Sequence, residues 1–193
     1  MRLFVAILLN EEARSALVRL QSGLARACPD VRWVAPEQLH LTVQFLGDVR
    51  DLDVPRVAGA LQRAARVDPF DMELGGAGCF PDRGQVRIVW AGARDPTGRL
   101  VQCVESVSAE LEAAGFPRER RPWSAHLTVG RVREDRSYGA IRSAVEAARF
   151  GPLTQSVAAV SLMSSVLSPK GATYSVVSTA SLGRSGTFNH SSR

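Results

Sequence analysis

The chain has 193 residues, of which 45% are hydrophobic and 22% charged, a composition that excludes a wholly disordered chain and a fibrous repeat. The length fits one large domain or two small lobes that share a core. The net charge is +5, and all but one of the 24 basic residues are arginines. Arginine suits phosphate binding, but a codon bias gives the same excess, so composition alone leaves a nucleic-acid or phosphate partner open.

In chain order, the hydrophobic pattern predicts alternating strands and helices. In the first half, these are a strand at 3–9, a helix capped by Asn10, an extended piece at 31–34, a strand at 39–46, a helix from about 53 and a strand from about 70. In the second half, they are a strand at 86–90, a helix at 97–114, a strand at 125–132, a helix at 137–148 and strands at 155–167 and 172–182.

Both halves therefore run strand, helix, strand, helix, strand. This repeat predicts a single domain over 1–182 made of two pseudo-symmetric lobes, at about 1–80 and 85–182, with a hinge near 81–84. Glycines at 75, 76 and 78 indicate a bent strand. We expect the Ser/Gly-rich tail at 183–193 to be mobile.

The cysteines and the amino terminus indicate a cytoplasmic protein. Cys28, Cys79 and Cys103 are odd in number and show no C-x-x-C spacing, so we expect buried, reduced thiols. The apolar run at 3–9 is short and lacks a cleavage site, which favours a buried strand over a signal peptide. No stretch approaches the roughly 18 apolar residues that span a bilayer.

Two copies of a short histidine motif are the most informative feature. The first reads Leu39-His40-Leu-Thr42-Val43 and the second Ala125-His126-Leu-Thr128-Val129. They are 86 residues apart, close to the 84 residues between the starts of the two halves, so the motif is in register with the repeat. Because side chains alternate along a strand, each motif is expected to present its histidine and threonine on one face.

Two facing imidazoles can act as general acid and general base, while threonine hydroxyls bind phosphoryl oxygens. This pattern predicts displacement at phosphorus without a metal. One histidine on a strand would more often be a packed core residue, but the duplicated placement favours a site. A metal centre would need a third ligand, and threonine occupies the i+2 position in both motifs.

The chain resembles the two-histidine phosphoesterase superfamily, most closely its RNA 2′,3′-cyclic phosphodiesterase branch, once called 2′-5′ RNA ligases. The resemblance covers nearly everything before the tail. The segments that carry it are Arg2-Leu-Phe-Val-Ala-Ile7, Arg32-Trp-Val34, Leu39-His-Leu-Thr-Val-Gln-Phe-Leu-Gly47, Ser124-Ala-His-Leu-Thr-Val-Gly-Arg131 and Leu167-Ser-Pro-Lys-Gly-Ala-Thr-Tyr174. It implies an α+β fold in which two lobes, each a mainly antiparallel sheet with helices outside, surround a central cleft.

The resemblance also implies an activity. A monomer without cofactor or metal would hydrolyse the 2′,3′-cyclic phosphate of an RNA end or nucleotide to a 2′-phosphomonoester, and the same chemistry would reversibly join a 5′-hydroxyl to a cyclic phosphate in a 2′-5′ linkage. His40 would donate the proton and His126 accept it; the residues alone leave that assignment open. Two alternatives remain: a non-catalytic RNA-end or nucleotide-binding module, and a phosphodiesterase for another cyclic or 2′-5′ phosphodiester.

The other candidates depend on which face of a strand they occupy. Arg131 looks like the family's phosphate-binding arginine, but alternation from His126 places it on the opposite face, so we predict an irregularity near Gly130 that returns it to the cleft. Alternation likewise places Phe45 in the core. Trp33, Trp123 and Tyr174 lie near the motifs and are candidates for base stacking.

Overall fold

A computed structural model of the chain describes residues 1–119, 121–168 and 171–183. The strands in these residues are β1 (Arg2–Leu8), β2 (Val31–Trp33), β3 (His40–Asp48), β4 (Phe70–Phe80), β5 (Ile88–Arg94), β6 (His126–Val132), β7 (Leu153–Val157), β8 (Ala159–Ser168) and β9 (Gly171–Ser181). The α-helices are α1 (Glu11–Ala25), α2 (Val54–Ala64), α3 (Arg99–Ala113) and α4 (Ala140–Ala147). Residues 184–193, which make up all but the first residue of the predicted mobile tail and include His190, lie outside the described residues. Pro169 and Lys170 also lie outside them.

The strands form two antiparallel sheets, which confirms the expected α+β architecture. The first sheet has the order β3-β1-β8-β9, and the second has the order β2-β6-β5-β4-β7. β1 lies beside β3 in the first sheet as β5 lies beside β6 in the second. The two histidine motifs therefore occupy corresponding strands in different sheets.

The division between the sheets does not follow the two halves of the sequence. β4, from the first half, pairs with β5 and β7 in the second sheet, while β8, from the second half, pairs with β1 in the first. The expectation of lobes at 1–80 and 85–182 is therefore wrong for the sheets, because the first half contributes β2 and β4 to the second sheet and the second half contributes β8 and β9 to the first. The expected hinge at 81–84 joins two paired strands, β4 and β5. Hydrophobic periodicity locates a strand but does not specify its neighbours.

A second difference concerns the strand predicted at 155–167. The structure divides this segment into β7 and β8, which belong to different sheets. Ala158 separates them, and its carbonyl accepts a hydrogen bond from the Leu182 amide at 2.8 Å. The continuous apolar pattern concealed this change of sheet because both strands bury residues in the same core.

That core fixes the orientation of both motif strands. Leu41, Val43, Leu127 and Val129 are each at most 3% exposed and belong to one hydrophobic cluster. The buried faces of the four α-helices named above belong to the same cluster. The histidine and threonine of each motif must therefore point away from this core. We call the face that carries them the histidine face of each sheet.

Several local predictions are confirmed. The Asn10 side chain caps α1 by accepting a hydrogen bond from the Ala13 amide at 2.8 Å. β4 has a register shift at its glycines, between Leu74 and Ala77, so the strand is bent. All three cysteines are buried and unpaired, and burial raises the pKa of Cys103 to about 11. Within the described ranges, no helix has the length and apolarity required to cross a membrane.

Candidate active site

His40 begins β3 and is held by the backbone just before it. Its Nδ1 lies 2.7 Å from the carbonyl oxygen of Gln38, and its Nε2 lies 3.1 Å from Oγ1 of Thr42. A carbonyl oxygen can only accept, so Nδ1 carries a proton and the neutral ring has its free lone pair on Nε2. The Thr42 hydroxyl can donate to that lone pair. His40 is therefore oriented with Nε2 on the histidine face.

His126 begins β6 with the same local geometry. Its Nδ1 lies 2.9 Å from the carbonyl oxygen of Ser124, the counterpart of Gln38 two residues before the other histidine. The same tautomer follows, with Nε2 available for proton transfer. Thr128 shares the half-buried face of His126. The duplicated sequence motif is thus a duplicated arrangement of imidazole, threonine and backbone carbonyl.

Three observations bring the two motifs together. β3 contacts β6 although the strands belong to different sheets. The Trp123 indole N–H, just before the second motif, donates to the Thr42 carbonyl oxygen at 3.0 Å. The positive charge of Arg131 acts on His40. We call the space bounded by the two histidine faces the cleft.

Arg131 lies on the histidine face because of a β-bulge. Thr128 pairs with Trp90 and Gly130 with Val89, so Val129 has no partner on β5. The extra residue reverses the alternation, and Arg131 is exposed between the buried Gly130 and Val132. The predicted irregularity is confirmed. Gly130 has a separate role: a Cβ there would lie 2.4 Å from Cγ1 of Val31 on the neighbouring strand.

Phe45 corrects a prediction based on alternation. The first motif has the same bulge, since Thr42 pairs with Ala6 and Gln44 with Val5, leaving Val43 without a partner on β1. Phe45 is therefore on the histidine face and 55% exposed, whereas Gln44 is buried. The expected core position for Phe45 is wrong because regular alternation cannot be extended across a bulge.

Aromatic rings surround both imidazoles. The Tyr174 ring meets His40 edge to face at a centroid distance of 5.4 Å. The Phe4 ring, on the neighbouring strand β1, has its centroid 4.9 Å from that of His40. Phe80 meets His126 edge to face at 5.1 Å. Each histidine thus has an apolar neighbour that partly excludes water from its ring.

The two tryptophans proposed for stacking occupy different surroundings from Tyr174. Both are partly buried against the hydrophobic core. Trp33 pairs with Gly130 at the edge of the second sheet, and the Trp123 indole is hydrogen-bonded to the first motif. Of the three candidates, Tyr174 is the one whose ring contacts a motif histidine.

The environment of His40 favours its neutral form. Burial lowers its pKa below the ordinary value for histidine, the hydrogen bond to Gln38 raises it, and the charge of Arg131 lowers it. The net direction is downward. A negatively charged group in the cleft would oppose the effect of Arg131 and favour the protonated ring.

Sequence reasoning missed several residues around the histidines. The carbonyls of Gln38 and Ser124 could have been found from the sequence, because each residue lies two positions before the histidine of its motif. Phe4 and Phe80 could not, because β1 and β4 contact the histidines through tertiary packing. Among the described residues, no three histidine, cysteine, aspartate or glutamate side chains are grouped so that they could hold a metal ion.

Comparisons with known proteins show related sequences and a related fold. The family model described as LigT like Phosphoesterase matches residues 7–90. An RNA 2′,3′-cyclic phosphodiesterase of Methanothermobacter thermautotrophicus is 34% identical over 175 residues, which are 90% of this chain and 94% of the relative. The crystal structure of TT0787 of Thermus thermophilus superposes with a TM-score of 0.79 at 32% identity, covering 96% of this chain and all of the other.

A more distant solved structure carries a ligand. Escherichia coli LigT complexed with 3′-AMP is 26% identical and superposes with a TM-score of 0.78, covering 95% of this chain and 98% of that protein. The relative from Methanothermobacter matches this chain over nearly the full length of both. The chain therefore belongs to the LigT-like family of two-histidine phosphoesterases.

Proposed function

We propose that this protein hydrolyses the 2′,3′-cyclic phosphate of an RNA end or nucleotide to the 2′-phosphomonoester. The observation that carries the proposal is the pair of equivalently held imidazoles, each with Nδ1 bonded to a backbone carbonyl and Nε2 left for chemistry. The curated relatives support the substrate, since their names describe RNA 2′,3′-cyclic phosphodiesterases.

In the proposed reaction, a water oxygen attacks phosphorus while Nε2 of His126 takes one of its protons. The bond from phosphorus to the 3′-oxygen breaks, and His40, which enters this step as the imidazolium with protons on both ring nitrogens, gives its Nε2 proton to that oxygen. The product has a 2′-phosphate and a 3′-hydroxyl. With a 5′-hydroxyl in place of water as the nucleophile, the same displacement would give a 2′-5′ linkage and release the 3′-hydroxyl. The family assigns the two roles, and the chemistry consists of positioning and proton transfer.

The phosphoryl oxygens need donors that stay in place as charge develops on them. We assign this role to the hydroxyls of Thr42 and Thr128 and to the guanidinium of Arg131. All three are on the histidine faces, and no described carboxylate forms an ion pair with Arg131, which leaves its charge available to an anion. Charge-assisted hydrogen bonds from arginine are strong and suit phosphate.

The nucleobase is assigned to the Tyr174 side of the cleft. Tyr174, Phe4 and Phe45 form a run of ring contacts beside His40. Such rings favour stacking with a base of any identity. We further propose that the protein is a monomer and that it is cytoplasmic. The three buried, unpaired cysteines support the second proposal because they fit a reducing compartment.

The test is phosphorus NMR of adenosine 2′,3′-cyclic phosphate incubated with the protein, with and without EDTA. We expect the cyclic signal to be replaced by that of the 2′-monophosphate at the same rate in both samples. Binding without turnover would support the non-catalytic alternative. Turnover of only ADP-ribose cyclic phosphate or 2′-5′ oligomers in parallel samples would move the activity to another phosphodiester.

A further inference from the structure

Among the described residues, three glutamine side chains are buried, although glutamine is ordinarily a surface residue. They are Gln21 on α1, Gln44 on β3 and Gln155 on β7, and each is at most 6% exposed. A buried amide costs free energy unless hydrogen bonds within the protein replace those that it made with water. The partners of each amide therefore show which part of the fold it stabilises.

Gln21 holds the backbone of the bulge in β6. Its Nε2 donates to the carbonyl oxygens of Val129 at 2.9 Å and Val34 at 2.8 Å, which together use the two protons of the amide. Val129 is the residue without a partner on β5, and its carbonyl oxygen also accepts a hydrogen bond from the Val34 amide at 2.9 Å. One side chain thus joins α1 to the bulge and to the chain just after β2.

Gln44 occupies a comparable place at the other bulge. It follows Val43, the residue without a partner on β1, and its Nε2 donates to the Pro117 carbonyl oxygen at 3.3 Å. Its Oε1 accepts a hydrogen bond from Oγ of Ser108 on α3 at 2.8 Å. Each bulge therefore lies beside a buried glutamine that connects it to a helix.

The bulge in β6 decides on which face of the strand Arg131 lies. Because side chains alternate along a strand, the loss of the bulge, or its movement past Arg131, would turn the guanidinium away from the cleft. It would then point to the side on which α1 packs against β6. Gln21 binds the bulged residue itself, so its hydrogen bonds favour this one placement of the bulge.

We propose that Gln21 is a positioning residue for Arg131: by binding the Val129 carbonyl oxygen from the core side, it fixes the bulge and keeps the guanidinium on the histidine face. Gln21 belongs to the buried face of α1 and acts through the backbone, not by contact with substrate. The consequence for a bound phosphate rests on the proposed function. The position of Arg131 relative to His40 does not.

The first measurement is the pKa of His40 in the protein without substrate, from NMR of the imidazole C–H signal assigned with His40→Ala. Among the described residues, Arg131 is the charged side chain that shifts this pKa, and it lowers it; burial and the hydrogen bond to Gln38 are the other causes. Gln21→Met removes the donor and keeps a side chain of similar length. We expect it to raise the pKa of His40 by about half or more of the rise in Arg131→Gln.

The double variant separates a positioning role from a general loss of packing. In the Arg131→Gln background, Gln21→Met should cause no further rise in the pKa of His40, because no guanidinium is left to displace. Gln21→Asn provides a second test. It keeps the amide but is one methylene shorter and cannot reach both carbonyl oxygens, so the pKa should rise in the same direction by a smaller amount.

Ser106→Ala is the control for the loss of a hydrogen bond from a helix side chain to the backbone. Oγ of Ser106, on α3, donates to the Ala64 carbonyl oxygen at the end of α2 at 2.9 Å, a place that involves neither β2 nor β6. This variant should lower thermal stability and leave the pKa of His40 at the wild-type value.

The second measurement is turnover of adenosine 2′,3′-cyclic phosphate. We expect Gln21→Met to lower kcat/KM by about tenfold or more, toward the value of Arg131→Gln, because a displaced phosphate-binding group no longer meets the charge that develops on phosphorus. In the Arg131→Gln background, Gln21→Met should have little further effect on kcat/KM.

The outcomes separate this inference from the proposed function. A wild-type pKa of His40 in both Gln21 variants, with reduced thermal stability, would mean that Gln21 only supports the core, and the inference is overturned. An equal rise with and without the Arg131 guanidinium would overturn it as well. If the wild type does not hydrolyse the substrate, the proposed function fails, while the NMR titrations still decide whether Gln21 positions Arg131.

Discussion

Phe45 and Arg131 occupy the same position in the two motif strands, 86 residues apart, and each is brought onto the histidine face by an equivalent bulge. Val43, two residues before Phe45, has no partner on β1, and Val129, two residues before Arg131, has no partner on β5. The same backbone arrangement therefore presents an aromatic ring on one motif strand and a cation on the other. Because one side chain is aromatic and the other is charged, an asymmetric substrate would bind between the two equivalent histidines in one orientation.

Replacing either motif histidine should remove catalysis while leaving the fold intact. We expect His40→Ala and His126→Ala each to lower kcat by about 10²- to 10⁴-fold, the usual contribution of a positioned acid or base. The measurement is turnover of adenosine 2′,3′-cyclic phosphate, with circular dichroism to verify folding. His190→Ala, which changes the remaining histidine of the chain, is the control. Wild-type turnover in both motif variants would contradict the mechanism.

The pH profile should identify the role of His40. As a proton donor His40 acts only while charged, and its pKa lies below the ordinary value because of burial and Arg131. The alkaline limb of kcat/KM should therefore have its midpoint below pH 6.5, the usual histidine value. In Arg131→Gln, one lowering influence is lost and this limb should move to higher pH. If the acidic limb moves instead, His40 is the base.

Tyr174 should affect substrate binding more than the chemical step. Tyr174→Ala removes the ring beside His40, and we expect KM to rise by about 5- to 100-fold, as for the loss of one stacking partner. Tyr174→Phe keeps the ring and should remain close to wild type. Because the ring also shields His40 from water, Tyr174→Ala should move the His40 limb of the pH profile upward. A fall in kcat with an unchanged KM would contradict the stacking role.

Gly130 should be required for the packing of β2 on β6. A Cβ at this position would lie 2.4 Å from Val31 Cγ1 and 3.2 Å from Cε3 of Trp33. We expect Gly130→Ala to reduce the free energy of unfolding by about 1–3 kcal/mol, the usual range for an overpacked site. Thermal unfolding should then begin several degrees lower.

Gly23→Ala is the matched control for Gly130→Ala. Gly23 lies in α1, and a Cβ there would meet nothing within 4 Å. Alanine is the better helix former, so this variant should be stabilised by about 0.5–1 kcal/mol. Equal destabilisation of both variants would mean that the effect comes from the loss of glycine flexibility and not from the contact with Val31.

The sequence by itself determined that each motif histidine shares a strand face with its threonine. Local alternation was enough to place His40 with Thr42 and His126 with Thr128, because two residues along a strand always return to the same face. The match between the motif spacing and the repeat marked the two sites as equivalent. Capping of α1 by Asn10 was likewise local information, since the cap binds an amide three residues away.

Only the tertiary structure decided what surrounds those residues. A bulge exists relative to a partner strand, so the faces of Phe45 and Arg131 depend on pairing with β1 and β5, which lie far away in sequence. The exchange of β4 and β8 between the sheets is equally non-local. The hydrogen bond from Gln21 to Val129 joins residues 108 positions apart, and no periodicity within either segment specifies it.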